Sequence, residues 1–184
     1  MTTKRAAAAH KAVEPQRFRD LMAGVCAPVT VITTTCGDEP YGATASSFAS
    51  LSLDPPLITV AFDRRSTLLT RILEAGRFGV NLLGHGQDDL ATLFARRGAD
   101  RFTTTSWHDD CGLPRLDGAA GWLVCELNRV VEGGDHLLLF GLVTAASRCE
   151  LPPLVYAHRT FGTHSRFAER PRPPIANHIA ACAC

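Results

Sequence analysis

Three short stretches of this chain hold polar side chains in patterns that a hydrophobic core does not require. The first, 42–56 (Gly42-Ala43-Thr44-Ala45-Ser46-Ser47-Phe48 and on to Asp54-Pro55-Pro56), carries five hydroxyl side chains in fifteen residues. Small residues on an extended segment let a flat or phosphorylated ligand approach the backbone, although the same residue types also suit an edge strand or a loop. The second, Arg64-Arg65-Ser66-Thr67, sets two guanidinium groups ahead of a hydroxyl pair. At the start of a helix such residues make a phosphate site, because free N–H groups, the positive end of the helix dipole and a forked guanidinium all favour an anion. A capped helix with solvated arginines would read the same way. The third, Gly133-Gly134-Asp135-His136, puts an imidazole at a strand entrance. There it could donate a hydrogen bond, carry charge near a carboxamide or phosphate, or relay a proton. Gly-Asp is also ordinary hairpin-turn chemistry.

Other chemistries lack their signatures. The remaining histidines (10, 85, 108, 158, 164 and 178) show no H-E-x-x-H spacing, and Ser46-Ser47 does not sit in a G-x-S-x-G elbow. Neither a G-x-G-x-x-G fingerprint nor a Walker A loop is present. Seven cysteines, at 26, 36, 111, 125, 149, 182 and 184, include no C-x-x-C pair. An odd number scattered through apolar segments suits reduced thiols in a cytoplasm better than a disulfide framework. Cys125, alternating with Leu123 and Leu127, reads as a small core residue. Cys182, Cys184 and His178 offer three soft ligands near one end, short of a structural metal site, so no metal is expected.

The elements that must position these residues follow from periodicity and turn chemistry. Phe18, Leu21, Met22 and Val25 share one face of a helix expected over 18–27. The β-branched run 29–35 predicts a strand that turns at Cys36-Gly37-Asp38-Glu39-Pro40 and pairs back on 41–48. Asp54-Pro55-Pro56 interrupts the ladder before a buried strand over 57–62. A helix over 67–75 has Ser66 as N-cap and Gly76 as its stop, and a strand is expected over 77–83. A further helix, 87–97, carries Asp88 and Asp89 at its start and Arg96 and Arg97 at its end. The polar segment 98–118 reads as a loop with short elements. Two long strands, 122–131 and 137–145, flank the turn before His136, and 154–157 is a short strand. Strands in hairpin order with two inserted helices predict a mainly β chain, an antiparallel barrel rather than a parallel α/β sheet.

At 184 residues, 46% hydrophobic and a net charge of +1, the chain fits one globular domain and lacks the basic surplus of a nucleic-acid binder. It has no apolar run long enough to span a membrane. Residues 1–16, Ala-rich and basic, read as a flexible arm, 17–165 as the domain, and 166–184 as a basic, Pro-rich tail.

Taken in order, these residues resemble the short-chain flavin reductase family. The likeness runs over about 18–161 and includes the strand 29–35, the hydroxyl stretch through Asp54-Pro55-Pro56, and Ser66-Thr67 opening a helix. It continues through Phe78-Gly79-Val80-Asn81-Leu82-Leu83, Gln87 to Phe94-Ala95, Arg101-Phe102, Gly134-Asp135-His136 and Pro153-Leu154-Val155-Tyr156. The resemblance implies a six-stranded FMN-binding split barrel, a homodimer, and reduction of FMN or FAD by NADH or NADPH. It also implies that reduced flavin passes to a partner monooxygenase or halogenase. Carried over, Thr44, Ala45, Ser46 and Ser47 would meet the flavin ring and ribityl chain, and Arg65, Ser66 and Thr67 its phosphate. Phe102 would lie beside the flavin, and His136 would serve catalysis from the nicotinamide side, with Tyr156 and Arg159 near it. The same barrel also suits a non-catalytic flavin- or haem-binding carrier or sensor, or an enzyme like pyridoxamine-phosphate oxidase.

Overall fold

The computed structural model describes residues 12–164 except 97 and 99. Residues 1–11 of the expected arm, Arg97, and the tail with His178, Cys182 and Cys184 lie outside the described residues. The order is α1 (Pro15–Ala23), β1 (Ala27–Pro28), β2 (Thr30–Cys36), β3 (Glu39–Ala45), β4 (Ala49–Leu53), β5 (Pro56–Asp63), α2 (Thr67–Ala75), β6 (Arg77–Leu82) and α3 (Asp88–Ala95). Then come β7 (Trp107–Asp110), β8 (Leu113–Leu116), β9 (Gly121–Gly133), β10 (His136–Arg148), β11 (Leu154–Ala157) and β12 (Thr160–Thr163). The chain is mainly β with few helices, as its strand patterns predict. Among the described residues no helix is long and apolar enough to cross a membrane.

The main sheet is antiparallel and has seven strands, ordered β3-β2-β6-β9-β10-β5-β4. This corrects the expected six. The hydroxyl stretch supplies two strands rather than one: β3 stops at Ala45 and pairs with β2, whereas β4 begins at Ala49 and pairs with β5. In a flat sheet β3 and β5 would stand five strand spacings apart, roughly 24 Å. Yet Ala45 of β3, Val60 and Phe62 of β5, and Leu69 and Ile72 of α2 share one buried cluster. The sheet must therefore curl about that core, with α2 against it, and its ladder stays open between β3 and β4.

β2 runs between two cores, with Ile32 in the first cluster and Val31 in a second that includes Phe94 of α3, Leu116 of β8 and Leu154 of β11. Its buried threonines are satisfied locally: the hydroxyls of Thr30, Thr33 and Thr34 donate to the carbonyls of Ala45 (2.7 Å), Pro114 (2.7 Å) and Arg77 (2.8 Å). Cys125 is fully buried, as its alternation implies, and burial pushes its thiol up to about 12.

The first helix differs from its expected form. It starts at Pro15, inside the segment read as an arm, because the Glu14 carboxylate accepts from the N–H groups of Gln16 and Arg17, both at 2.8 Å. None of its residues is buried, and the expected apolar face of Phe18, Leu21 and Met22 is exposed.

Candidate active site

α2 begins where β5 ends. Its bounds match the local signals: Ser66 Oγ accepts from the Leu69 N–H (3.4 Å), and Gly76 takes the left-handed conformation that stops the helix. No acceptor among the described residues takes the N–H groups of Thr67 and Leu68, so the helix start presents unpaired donors and a positive dipole end. In front of it lies a cleft of about 550 Å³. Arg65, Ser66, Thr67 and Thr44 line the cleft together, which brings four of the expected binding residues to one place.

Arg101, part of the Arg101-Phe102 pair in the family resemblance, also lines the cleft. Arg101 is half-buried, and its guanidinium donates to the carbonyls of Gly42 (2.6 Å) and Arg96, both neutral. Its buried Nε has no partner, and among the described residues no carboxylate pairs with it. Burial lowers its affinity for the proton, as expected for a cation in a desolvated place without a counter-charge. Gly42 makes the packing beside Arg101 possible. A Cβ there would stand 2.8 Å from Phe94 Cε1 and 3.1 Å from Phe102 Cζ, so only glycine lets both rings close on β3.

Arg65 contrasts with Arg101. Its side chain forks onto Asp63, with Nε to Oδ1 at 3.1 Å and Nη2 to Oδ2 at 2.8 Å, and these bonds hold the Asp63 carboxyl well below the usual carboxylate range. Arg64 turns the other way, donating to the Gly134 carbonyl (3.1 Å) and pairing with Glu132 (3.4 Å) at the tip of the β9–β10 hairpin.

The hydroxyl stretch divides. Thr44 lines the cleft but donates its hydroxyl to the Ala91 carbonyl (2.6 Å). Ala45 turns its methyl into the core. Ser46 and Ser47 are exposed, but the Ser47 hydroxyl both donates to the Ala61 carbonyl and accepts from the Ala61 N–H, each at 2.9 Å. That side chain ties the end of β3 to β5 across the open ladder. Among the described strands β3 pairs only with β2, so its outer edge retains main-chain donors and acceptors for another partner.

His136 opens β10 opposite Asp63 of β5, at the cleft end of the sheet, and its Nδ1 lies 2.8 Å from Asp135 Oδ1. The hydrogen bond with His136 lowers the Asp135 carboxyl. Phe102 stands edge-on to Phe94 and Trp107, with centroids 5.3 and 5.5 Å away, and lines a side pocket rather than the main cleft. Tyr156 packs at a tilt against Phe161 in a separate three-stranded sheet, and Arg159 pairs with Asp20 of α1 at 2.8 Å. Neither lines the cleft or the side pocket.

Residues 22–165 match the model of the flavin reductase like domain. The chain belongs to that family. An NADH:riboflavin 5′-phosphate oxidoreductase of Streptomyces pristinaespiralis is 39% identical over 161 residues, covering 84% of this chain and 91% of that protein. The flavin-dependent monooxygenase reductase subunit HsaB of Rhodococcus jostii is 37% identical, covering 82% and 78%. This chain spans only 49% of a probable flavin reductase of Rhizobium meliloti, to which it is 36% identical over 82% of its own length. Among solved structures, the Streptomyces globisporus NADH:FAD oxidoreductase SgcE6, in complex with NAD and FAD fragments, superposes with a TM-score of 0.80 at 31% identity. It covers 87% of this chain and 100% of that one.

For a member of the flavin reductase-like family the donor set is apt. The Arg101 guanidinium, which pairs with no carboxylate among the described residues, the open start of α2 and the hydroxyls of Ser66 and Thr67 together suit the phosphate of a flavin nucleotide. The free edge of β3 suits a planar ring that takes main-chain hydrogen bonds.

Proposed function

We propose that this chain is an NAD(P)H-dependent flavin reductase that binds FMN or FAD in the cleft and releases it reduced to a partner monooxygenase or halogenase. The observation that carries this reading is that Arg101, which pairs with no carboxylate among the described residues, and the open start of α2 line one cleft, in a chain of the flavin reductase-like family. The bound flavin would supply the acceptor for a hydride from the nicotinamide. Hydride transfer needs no protein nucleophile, only two rings held about 3–3.5 Å apart. The chain's work is therefore to position. Arg101, Thr67 and Ser66 hold the phosphate, with Arg65 adding a weaker charge because Asp63 already neutralises it. Thr44, Ala45, Ser46 and Ser47 keep the ring's wall small, and the edge of β3 offers N–H groups toward developing negative charge. His136 acts from the rim on the nicotinamide side, so His136→Ala should raise the KM for the nicotinamide and leave the flavin Kd unchanged.

We further propose a homodimer. β10 is apolar on both faces: Leu139 enters the core, while Leu138, Phe140 and Leu142 stand half-buried on the outer face opposite Ala61, Thr59 and Leu57 of β5. An antiparallel sheet facing water would alternate apolar with polar residues there. A second copy on this face would lie beside the cleft, since Asp63 follows Ala61 on the same face of β5. Among the described residues five free thiols, at Cys26, Cys36, Cys111, Cys125 and Cys149, support a cytoplasmic site of action.

The test is consumption of NADH or NADPH with and without added flavin. Oxidation that requires FMN or FAD is expected, in a protein that elutes at twice its monomer mass. No flavin-dependent consumption with either nicotinamide would end the reductase reading. Flavin binding without turnover would favour a carrier.

A further inference from the structure

Beside the cleft lies a second pocket of about 310 Å³, lined by Glu39, Pro40, Tyr41, Asp100 and Phe102. Thr67, Leu68 and Arg101 line both spaces. Resting on the flavin reading of the main cleft, we propose that this side pocket takes the adenosine end of FAD, so that the chain prefers FAD to FMN.

Three features point to a nucleoside here. Arg101 is shared by the two spaces, so a diphosphate joining two halves of a dinucleotide would straddle the cation without a counter-charge. The pocket also has two rings fixed in place: the Arg71 guanidinium lies 5.1 Å over the Tyr41 ring, and Phe102 is braced edge-on by Phe94 and Trp107. Such rings offer a purine a surface to lie against without reading its hydrogen-bonding edge. Finally, apart from Arg101, the pocket's charges are the carboxylates of Glu39 and Asp100. These repel a phosphate and accept from ribose hydroxyls or an adenine amine. The volume falls within the range of small-ligand clefts.

The experiment titrates the full chain with FMN and with FAD by calorimetry, a readout independent of turnover. FAD should bind about tenfold more tightly than FMN, the increment of one stacked base. Tyr41→Ala and Glu39→Gln should each shrink that ratio while leaving the FMN constant within about twofold. Glu39 is exposed, so its variant keeps the test valid should Tyr41→Ala unfold the protein. Equal affinity for the two flavins, or a ratio untouched by both variants, overturns the proposal but leaves the cleft as a flavin site. A raised KM for NADH in Tyr41→Ala with the flavin ratio intact would assign the pocket to the nicotinamide nucleotide and overturn it too. Binding of neither flavin would overturn the reading of the cleft itself.

Discussion

Arg65 and Arg101 line the same cleft, yet their surroundings differ. Arg65 is exposed and grips Asp63 through two bonds, so its charge is largely neutralised before any ligand arrives. Arg101 is half-buried, bonded only to carbonyls, and keeps one buried N–H unpaired. An exposed ion pair contributes little, whereas a desolvated cation lacking a counter-charge gains much from an anion. By this comparison Arg65 shapes the rim and Arg101 selects the ligand.

The comparison breaks most sharply by substituting each arginine. Arg101→Gln should raise the flavin Kd by about tenfold to a hundredfold, the loss of one or two charge-assisted hydrogen bonds, with Arg101→Lys restoring part of it. Arg65→Gln should change it by only about two- to threefold. Equal effects in a binding titration would erase the distinction. The wall behind Arg101 supplies a second handle. Gly42→Ala would drive a methyl into Phe94 and Phe102 and should lower stability by about 1–3 kcal/mol in urea unfolding. Ser47 should behave as a structural tie. Ser47→Ala is expected to lower stability by about 1 kcal/mol and leave the flavin constant near its original value.

The smallest effect concerns acid. The Asp63 carboxyl is lowered chiefly by its bonds from Arg65, so it favours the folded state above the ordinary carboxylate pKa of about 4. That contribution fades as pH falls below about 4, toward the depressed folded value. Asp63→Asn should therefore flatten the acid limb of the stability profile, and an unchanged limb would mean that the pair contributes nothing measurable.

Much of the scaffold was legible because its signals are local. Ser66 and Gly76 bound α2 at the expected residues, and the Gly134-Asp135 turn joins the two long strands as expected. The seventh strand was hidden because β3 and β4 carry the same residue types, and only their different partners, β2 and β5, separate them. The β7–β8 hairpin and β12 are four-residue strands, too short to show a period. At the site, Ser66 and Thr67 were readable from capping chemistry, whereas Ser47 was not. Its hydroxyl looks free in sequence and is engaged by Ala61, fourteen positions away. Arg101 carries no role in the motif, since what marks it is that among the described residues its guanidinium bonds to carbonyls and pairs with no carboxylate.

The central claim is that the cleft recognises a flavin through its phosphate, and riboflavin, which lacks one, tests it most directly. Calorimetry of the unchanged protein and of Arg101→Gln, each with riboflavin and with FMN, should show FMN binding at least about tenfold more tightly to the former and nearly equal binding to the variant. Riboflavin binding as tightly as FMN to the unchanged protein would contradict the account.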